Sequence, residues 1–97
     1  MAQLLYGSPP TAFELDDRTL AHVEIVVLAK LRRNESFALA LDRPDATRST
    51  IWIGVHSDLH FSYNGARPEI NRDWLERLID SANSTSGLRI MPEGDAG

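Results

Sequence analysis

Residues 16–33, DDRTLAHVEIVVLAKLRR, carry the clearest structural signal in the chain. Two acidic residues open the stretch and Lys30, Arg32 and Arg33 close it, which is the charge order that a helix dipole favours. Apolar residues recur at spacings of three and four, as they do along one face of a helix. They are Leu20, Val23, Val27 and Leu31. The stretch therefore predicts a capped α-helix.

This helix carries more apolar surface than one stripe requires. Ile25, Val26 and Ala29 extend it to other sides, so the helix is either covered on more than one side or meets a partner chain. Glu24 falls among the apolar positions. Its carboxylate is therefore either buried, where it needs a partner or an elevated pKa, or lies at the rim of the apolar stripe. We interpret His22 as a half-buried packing residue without a catalytic role.

The remaining sequence predicts six strands and a second helix. After Asn34 the apolar period changes from 3.6 to 2, which indicates a strand over residues 36–41. Asn71 caps the second helix, and its apolar positions form one stripe. Five further strands are predicted over residues 3–6, 12–15, 50–55, 59–63 and 88–90. Because short loops join the three central strands, they predict an antiparallel meander.

The element order ββαβββαβ predicts an α+β fold, with a mostly antiparallel sheet and two helices packed on one face. A chain of 97 residues fits a single domain, which we place at residues 1–92, followed by a flexible tail at 93–97. The strand face opposite the helices would carry Trp52, Gly54, His60 and Ser62, and would be either solvated or a binding surface.

Composition excludes several classes of protein. The absence of cysteine rules out thiol chemistry and disulfides, and disulfides are the usual feature of proteins in oxidising compartments. No apolar run approaches the length of a membrane span, so we expect a cytoplasmic protein without membrane association. The formal net charge of −4 argues against a general nucleic-acid binder. No sequence signature of a cofactor site or catalytic centre is present, and we expect neither.

Two residue groups are candidate binding sites. His56, Asp58 and His60 alternate, so in an extended strand they would share one face and could hold a divalent metal, although a turn in residues 56–59 would separate them. The basic cluster Lys30, Arg32 and Arg33 could contact phosphate or an acidic partner. Complementation of the helix dipole is the simpler explanation of that cluster.

Five short motifs resemble those of a group of small, uncharacterised actinobacterial proteins. They are Leu-Leu-Tyr-Gly at residues 4–7, Asp-Asp-Arg-x-Leu-Ala-His at 16–22, Lys-Leu-Arg-Arg-x-Glu-Ser-Phe at 30–37, Asn-Arg-x-Trp at 71–74 and Ser-Ala-Asn-Ser-x-x-Gly-Leu-Arg at 81–89. Many members of that group bear the label ATP-dependent DNA ligase. Such ligases use a Lys-x-Asp-Gly motif, whereas Lys30 is followed by Leu-Arg-Arg. The resemblance thus implies a bacterial origin but no ligase activity.

The sequence supports three hypotheses about function. The first is a non-enzymatic protein-interaction module, which binds a protein partner or forms a homodimer, because the first helix is broadly apolar and catalytic signatures are absent. The second is a nucleic-acid-associated accessory protein that uses Lys30, Arg32 and Arg33. The third is a small metal-binding domain or enzyme that uses His56, Asp58 and His60.

Overall fold

The strands and helices follow the predicted order. A computed structural model describes residues 1–42 and 45–94. Its elements are β1 (Ala2–Tyr6), β2 (Thr11–Leu15), α1 (Asp17–Arg32), β3 (Phe37–Asp42), β4 (Arg48–Ile53), β5 (Leu59–Ser62), α2 (Arg72–Ala82) and β6 (Leu88–Arg89). The α+β class and the order ββαβββαβ are confirmed.

The six strands form two three-stranded sheets. The first has the order β2-β1-β5 and is antiparallel throughout. The second has the order β4-β3-β6, in which β3 pairs antiparallel with β4 and parallel with β6. Most strand pairs are therefore antiparallel, as predicted.

The predicted meander of three central strands is wrong, because β5 pairs with β1 instead of β4. In this register Phe61 lies opposite Leu4, which is fully buried in the core. The loop that follows β4 carries the chain from one sheet to the other. Proximity in sequence thus predicted the wrong partner for β5.

Apolar side chains from both sheets and both helices form one core. The large buried side chains that the helices and β3 supply are Leu20, Val23, Val26, Val27, Phe37, Leu39, Leu41, Trp74 and Leu78. Helix α1 contacts β1 and α2, and α2 also contacts β3 and β6. The broad apolar surface of α1 is thus largely covered within the chain, and the most exposed of its large apolar side chains is Leu28, at 43%.

Both helices begin at the predicted caps. The Asp16 side chain accepts a hydrogen bond from the Thr19 N–H at 3.2 Å, and Asn71 accepts one from the Trp74 N–H at the same distance. Each bond satisfies a backbone donor that the first turn of a helix leaves without a partner. Neither described helix has the length and apolar character needed to cross a membrane.

Candidate functional site

The most exposed aromatic side chain of the described residues lies beside an open groove near the end of β4. Trp52 is 62% exposed and Val55 is 47% exposed. The groove has a volume of about 460 Å³ and is lined by Tyr6, Gly7, Ser36, Trp52, Gly54, Val55, His56, Ser57 and Asp58. We call these nine residues the Trp52 groove. Large apolar side chains left in water are a common feature of binding surfaces.

Hydrogen bonds hold the Trp52 groove in shape. The Tyr6 hydroxyl donates to the Trp52 carbonyl at 2.6 Å, and the Gly7 N–H donates to the Asp58 carbonyl at 3.0 Å. The first bond joins β1 to β4 and so connects the two sheets, whereas the second continues the pairing of β1 with β5 within one sheet. The Gly54 N–H donates to Ser57 Oγ at 2.9 Å, which closes the turn after β4. Trp52 is therefore presented by an ordered scaffold.

The predicted metal ligands do not share one strand face. His56 and Asp58 lie in the loop between β4 and β5 and line the Trp52 groove, whereas His60 lies within β5 and does not. A turn at residues 55–56 interrupts the alternation of side chains, and β5 starts only at Leu59. Within residues 1–42 and 45–94, no group of three His, Cys, Asp or Glu side chains is placed to hold a metal ion. The metal hypothesis thus has no geometric support in the described structure.

The three basic residues at the end of α1 have different surroundings. The Lys30 ammonium donates to Asn83 Oδ1 at 3.0 Å, lies 3.3 Å from Glu35 Oε1 and sits 5.8 Å from the centre of the Phe37 ring. Only 13% of the Lys30 side chain is exposed. Arg32 and Arg33 are exposed and form no ion pair with the described residues. Lys30 thus ties α1 to the end of α2, and the two arginines remain as candidate phosphate contacts.

His22 is a fully buried link between the two helices. Its Nδ1 lies 2.7 Å from the Arg18 carbonyl, and its Nε2 lies 2.8 Å from the Asn71 nitrogen. A carbonyl only accepts and a backbone N–H only donates, so the proton of the neutral ring lies on Nδ1. The ring also packs on Trp74, with centroids 4.5 Å apart. The packing role predicted for His22 is confirmed, although the residue is buried more deeply than predicted.

The segment after β6 is fastened to both helices through Glu93. The Arg18 guanidinium donates two hydrogen bonds to the Glu93 carboxylate, of 2.8 and 2.7 Å. The Asn71 side-chain amide donates a third, of 2.9 Å. Arg77 donates to the Glu93 carbonyl at 2.6 Å. Glu93 is therefore well tethered, while residues 95–97 of the predicted tail lie outside the described residues. The flexible tail stays a prediction for those three positions.

The Glu93 contacts predict a pH dependence of stability. The hydrogen bonds from Arg18, then Asn71, lower the pKa of the Glu93 carboxyl from 4.5 to about 2. A carboxyl with a lowered folded-state pKa stabilises the fold above its ordinary pKa, and this contribution disappears as the pH falls toward the folded value. We expect Glu93→Gln to destabilise the protein at pH 7, and we expect the difference from wild type to shrink between pH 4.5 and 2. Urea titrations across this range measure it.

Glu76→Gln is the matched control for this prediction, because Glu76 is an exposed residue of α2 outside the Glu93 contacts. Its difference from wild type should be small and nearly constant with pH. A Glu93→Gln effect that is equally constant would contradict the proposed role of the carboxylate.

One family model places the chain among related proteins. The model described as Domain of unknown function (DUF7882) matches residues 1–93. The chain belongs to this family. The match covers every strand and helix of the structure. Neither the curated proteins nor the solved structures contain a match.

The sequence of this DUF7882 domain indicated part of the Trp52 groove. Trp52 and Gly54 were predicted to lie on a face without helices, and both line the groove. Tyr6 and Ser36 were missed, because they come from distant parts of the chain and their strand patterns resemble those of ordinary packing residues. The predicted strand over residues 50–55 was too long, since β4 ends at Ile53 and the following turn exposes Val55.

Proposed function

We propose that this DUF7882 domain is a non-enzymatic protein-interaction module that forms a homodimer through β4. The observation that carries the proposal is the pattern of exposed side chains on this strand. Arg48, Thr50 and Trp52 are exposed and alternate with more buried residues, so they share one face. β4 is also an edge strand, since β3 pairs with one side of it and no described strand pairs with the other. Unpaired strand edges are templates for a second chain.

The three exposed side chains of β4 can pair with the same three side chains of a second copy. In an antiparallel pair centred on Thr50, Arg48 of each copy lies opposite Trp52 of the other, and the two Thr50 residues face each other. A guanidinium over an indole ring is a favourable cation–π contact, and cross-strand threonines can exchange hydrogen bonds.

The expected affinity is low. An exposed cation–π contact contributes about 0.5–1 kcal/mol, and the dimer would contain two of them. Stable complexes bury about 800 Å² on each partner, which a six-residue strand with the exposed Trp52 and the neighbouring Val55 does not provide. We therefore expect a reversible dimer that forms at high protein concentration or at a local concentration raised by attachment to other components.

Exchanging the two side chains tests the register. Trp52→Arg places arginine opposite arginine, and we expect it to abolish the dimer in sedimentation equilibrium. Arg48→Trp alone removes the cation but adds an aromatic pair, so its effect should be smaller. The double variant Arg48→Trp with Trp52→Arg restores both reciprocal contacts and should restore the dimer.

Leu28→Arg is the control, because Leu28 is the exposed apolar residue of α1 and lies outside β4. It should leave the dimer unchanged. A strictly monomeric wild-type protein at high concentration would contradict the homodimer, and so would a dimer lost in Leu28→Arg but retained in Trp52→Arg. A dimer that depends on Leu28 but not on Trp52 would place the dimer contact on α1.

The source and location are further parts of the proposal. The absence of cysteine supports a cytoplasmic location, and the motif resemblance supports an actinobacterial origin without ligase activity. The nucleic-acid alternative now rests on Arg32 and Arg33, since Lys30 is engaged by Glu35 and Asn83. We give it less weight than the homodimer for that reason.

A further inference from the structure

A second cavity lies between α1 and the segment that follows β5, away from the Trp52 groove. It has a volume of about 250 Å³. Its lining residues are Ala21, Glu24, Tyr63, Gly65, Arg67 and Pro68. None of them belongs to the Trp52 groove or to β4. The cavity is somewhat smaller than the roughly 300–1,000 Å³ of sites for drug-sized ligands, so it suits a small metabolite.

Glu24 supplies a fixed acceptor in this cavity. The Tyr63 hydroxyl donates to its Oε1 at 2.7 Å, and no donor among the described residues bonds its Oε2. Burial raises the pKa of Tyr63 above its ordinary value, and the hydrogen bond to Glu24 raises it further, so the hydroxyl keeps its proton and remains the donor. The carboxylate is thus held in one orientation with one oxygen left for a ligand.

Arg67 supplies an opposite charge on the same cavity. Its side chain is exposed, and within the described residues it forms no ion pair with Glu24 or with another carboxylate. A carboxylate and a guanidinium that line one cavity without contacting each other can each take a complementary group of a single ligand. The guanidinium fork is well suited to a ligand carboxylate.

We propose that this cavity binds a small free amino acid, with the ligand ammonium on Glu24 and its carboxylate on Arg67. Tyr63 positions Glu24 for this contact and does not itself need to touch the ammonium. The Ala21 and Pro68 side chains add apolar wall, which favours a ligand with a short aliphatic side chain. The site is one of binding alone and involves no chemical step.

Three probes separate the two charged contacts. L-Alanine carries both groups, ethylamine carries only the cation and propionate carries only the anion. In two-dimensional amide NMR titrations of the full chain, we expect L-alanine to shift the signals of Ala21 and Gly65 and to bind at least tenfold more tightly than either half. Charged hydrogen bonds of about 1.5–3 kcal/mol correspond to factors of this size.

Conservative variants test the two residues separately. Glu24→Gln keeps an acceptor for Tyr63, and Arg67→Gln changes an exposed residue, so both should fold as the wild type does in thermal melts. Each should weaken L-alanine binding by about tenfold or more. Tyr63→Phe should weaken it by a smaller factor, because it frees the Glu24 carboxylate without removing it.

Matched controls are Glu76→Gln and Arg72→Gln, two exposed positions of α2 that do not line the cavity. Both should bind L-alanine as the wild type does. The Trp52→Arg variant should also bind normally, so this proposal and the homodimer can fail independently. The absence of any L-alanine shift, equal binding by ethylamine, or unchanged affinity in Glu24→Gln and Arg67→Gln would each overturn the proposal.

Discussion

Replacing His22 with alanine should lower the free energy of unfolding by about 3–4 kcal/mol. The imidazole is fully buried, so its removal leaves a cavity against Trp74. The Asn71 N–H at the start of α2 also loses its acceptor, and a buried donor without a partner costs about 1–3 kcal/mol. Since small domains are stable by only about 5–15 kcal/mol, the loss is a large fraction of the total. Urea denaturation followed by circular dichroism measures it.

His60→Ala is the control for this experiment. It removes the same side chain from an exposed position of β5, where we expect a change within about 0.5 kcal/mol. Equal effects of the two substitutions would show that His22 does not link the helices. His22→Leu fills most of the space but leaves the Asn71 donor unpaired, and it should fall between the two.

Replacing Gly87 with alanine should cost about 3 kcal/mol. Gly87 has a φ of +81°, a conformation that costs other residues about 1–2 kcal/mol. A Cβ at this position would lie 2.6 Å from the Ala38 carbonyl oxygen and 3.0 Å from the Ala38 Cβ. These atoms belong to β3, whose neighbouring residue Leu39 pairs with Leu88, so relief of the clash would displace β6. Thermal and urea denaturation of the variant check this expectation.

Gly65→Ala provides the comparison. A Cβ there would meet only the Asp17 carboxylate, at an ordinary distance of 3.5 Å, and the backbone is outside the left-handed region. We expect a change of less than about 1 kcal/mol. If the two glycine substitutions destabilise the protein equally, the close approach of Gly87 to β3 is not the cause.

Local sequence patterns predicted the elements well but their partners less well. The caps at Asp16 and Asn71 and the alternation from Phe37 to Leu41 depend on neighbouring residues, and these predictions are confirmed. The pairing of β5 depends on which distant strand it meets in the core. The short loop after β4 favoured a meander, whereas β5 pairs with β1, where the partly buried Phe61 lies opposite Leu4 and packs against the core.

For the candidate sites too, the sequence indicated individual residues but not their partners. Glu24 stood out in the sequence as a carboxylate among apolar residues, and the pattern left open whether it was paired or lay at a rim. The structure shows its partner, Tyr63, 39 positions away, as well as a place on a cavity wall. Likewise, the helix dipole explained the basic end of α1, but only the fold shows Lys30 bound to Asn83.

The sequence alone determined the α+β class, the element order and the exposed character of Trp52, since each follows from the period of apolar residues and from local capping. The tertiary structure decided the division into two sheets, the burial of His22 and the assembly of both cavities. These features join residues far apart in the chain, and their free energies come from packing and hydrogen bonds that form only when the core closes. A local sequence pattern does not show which distant residue each side chain contacts. Until the chain folds, each of these side chains can pack on other residues or bind water instead.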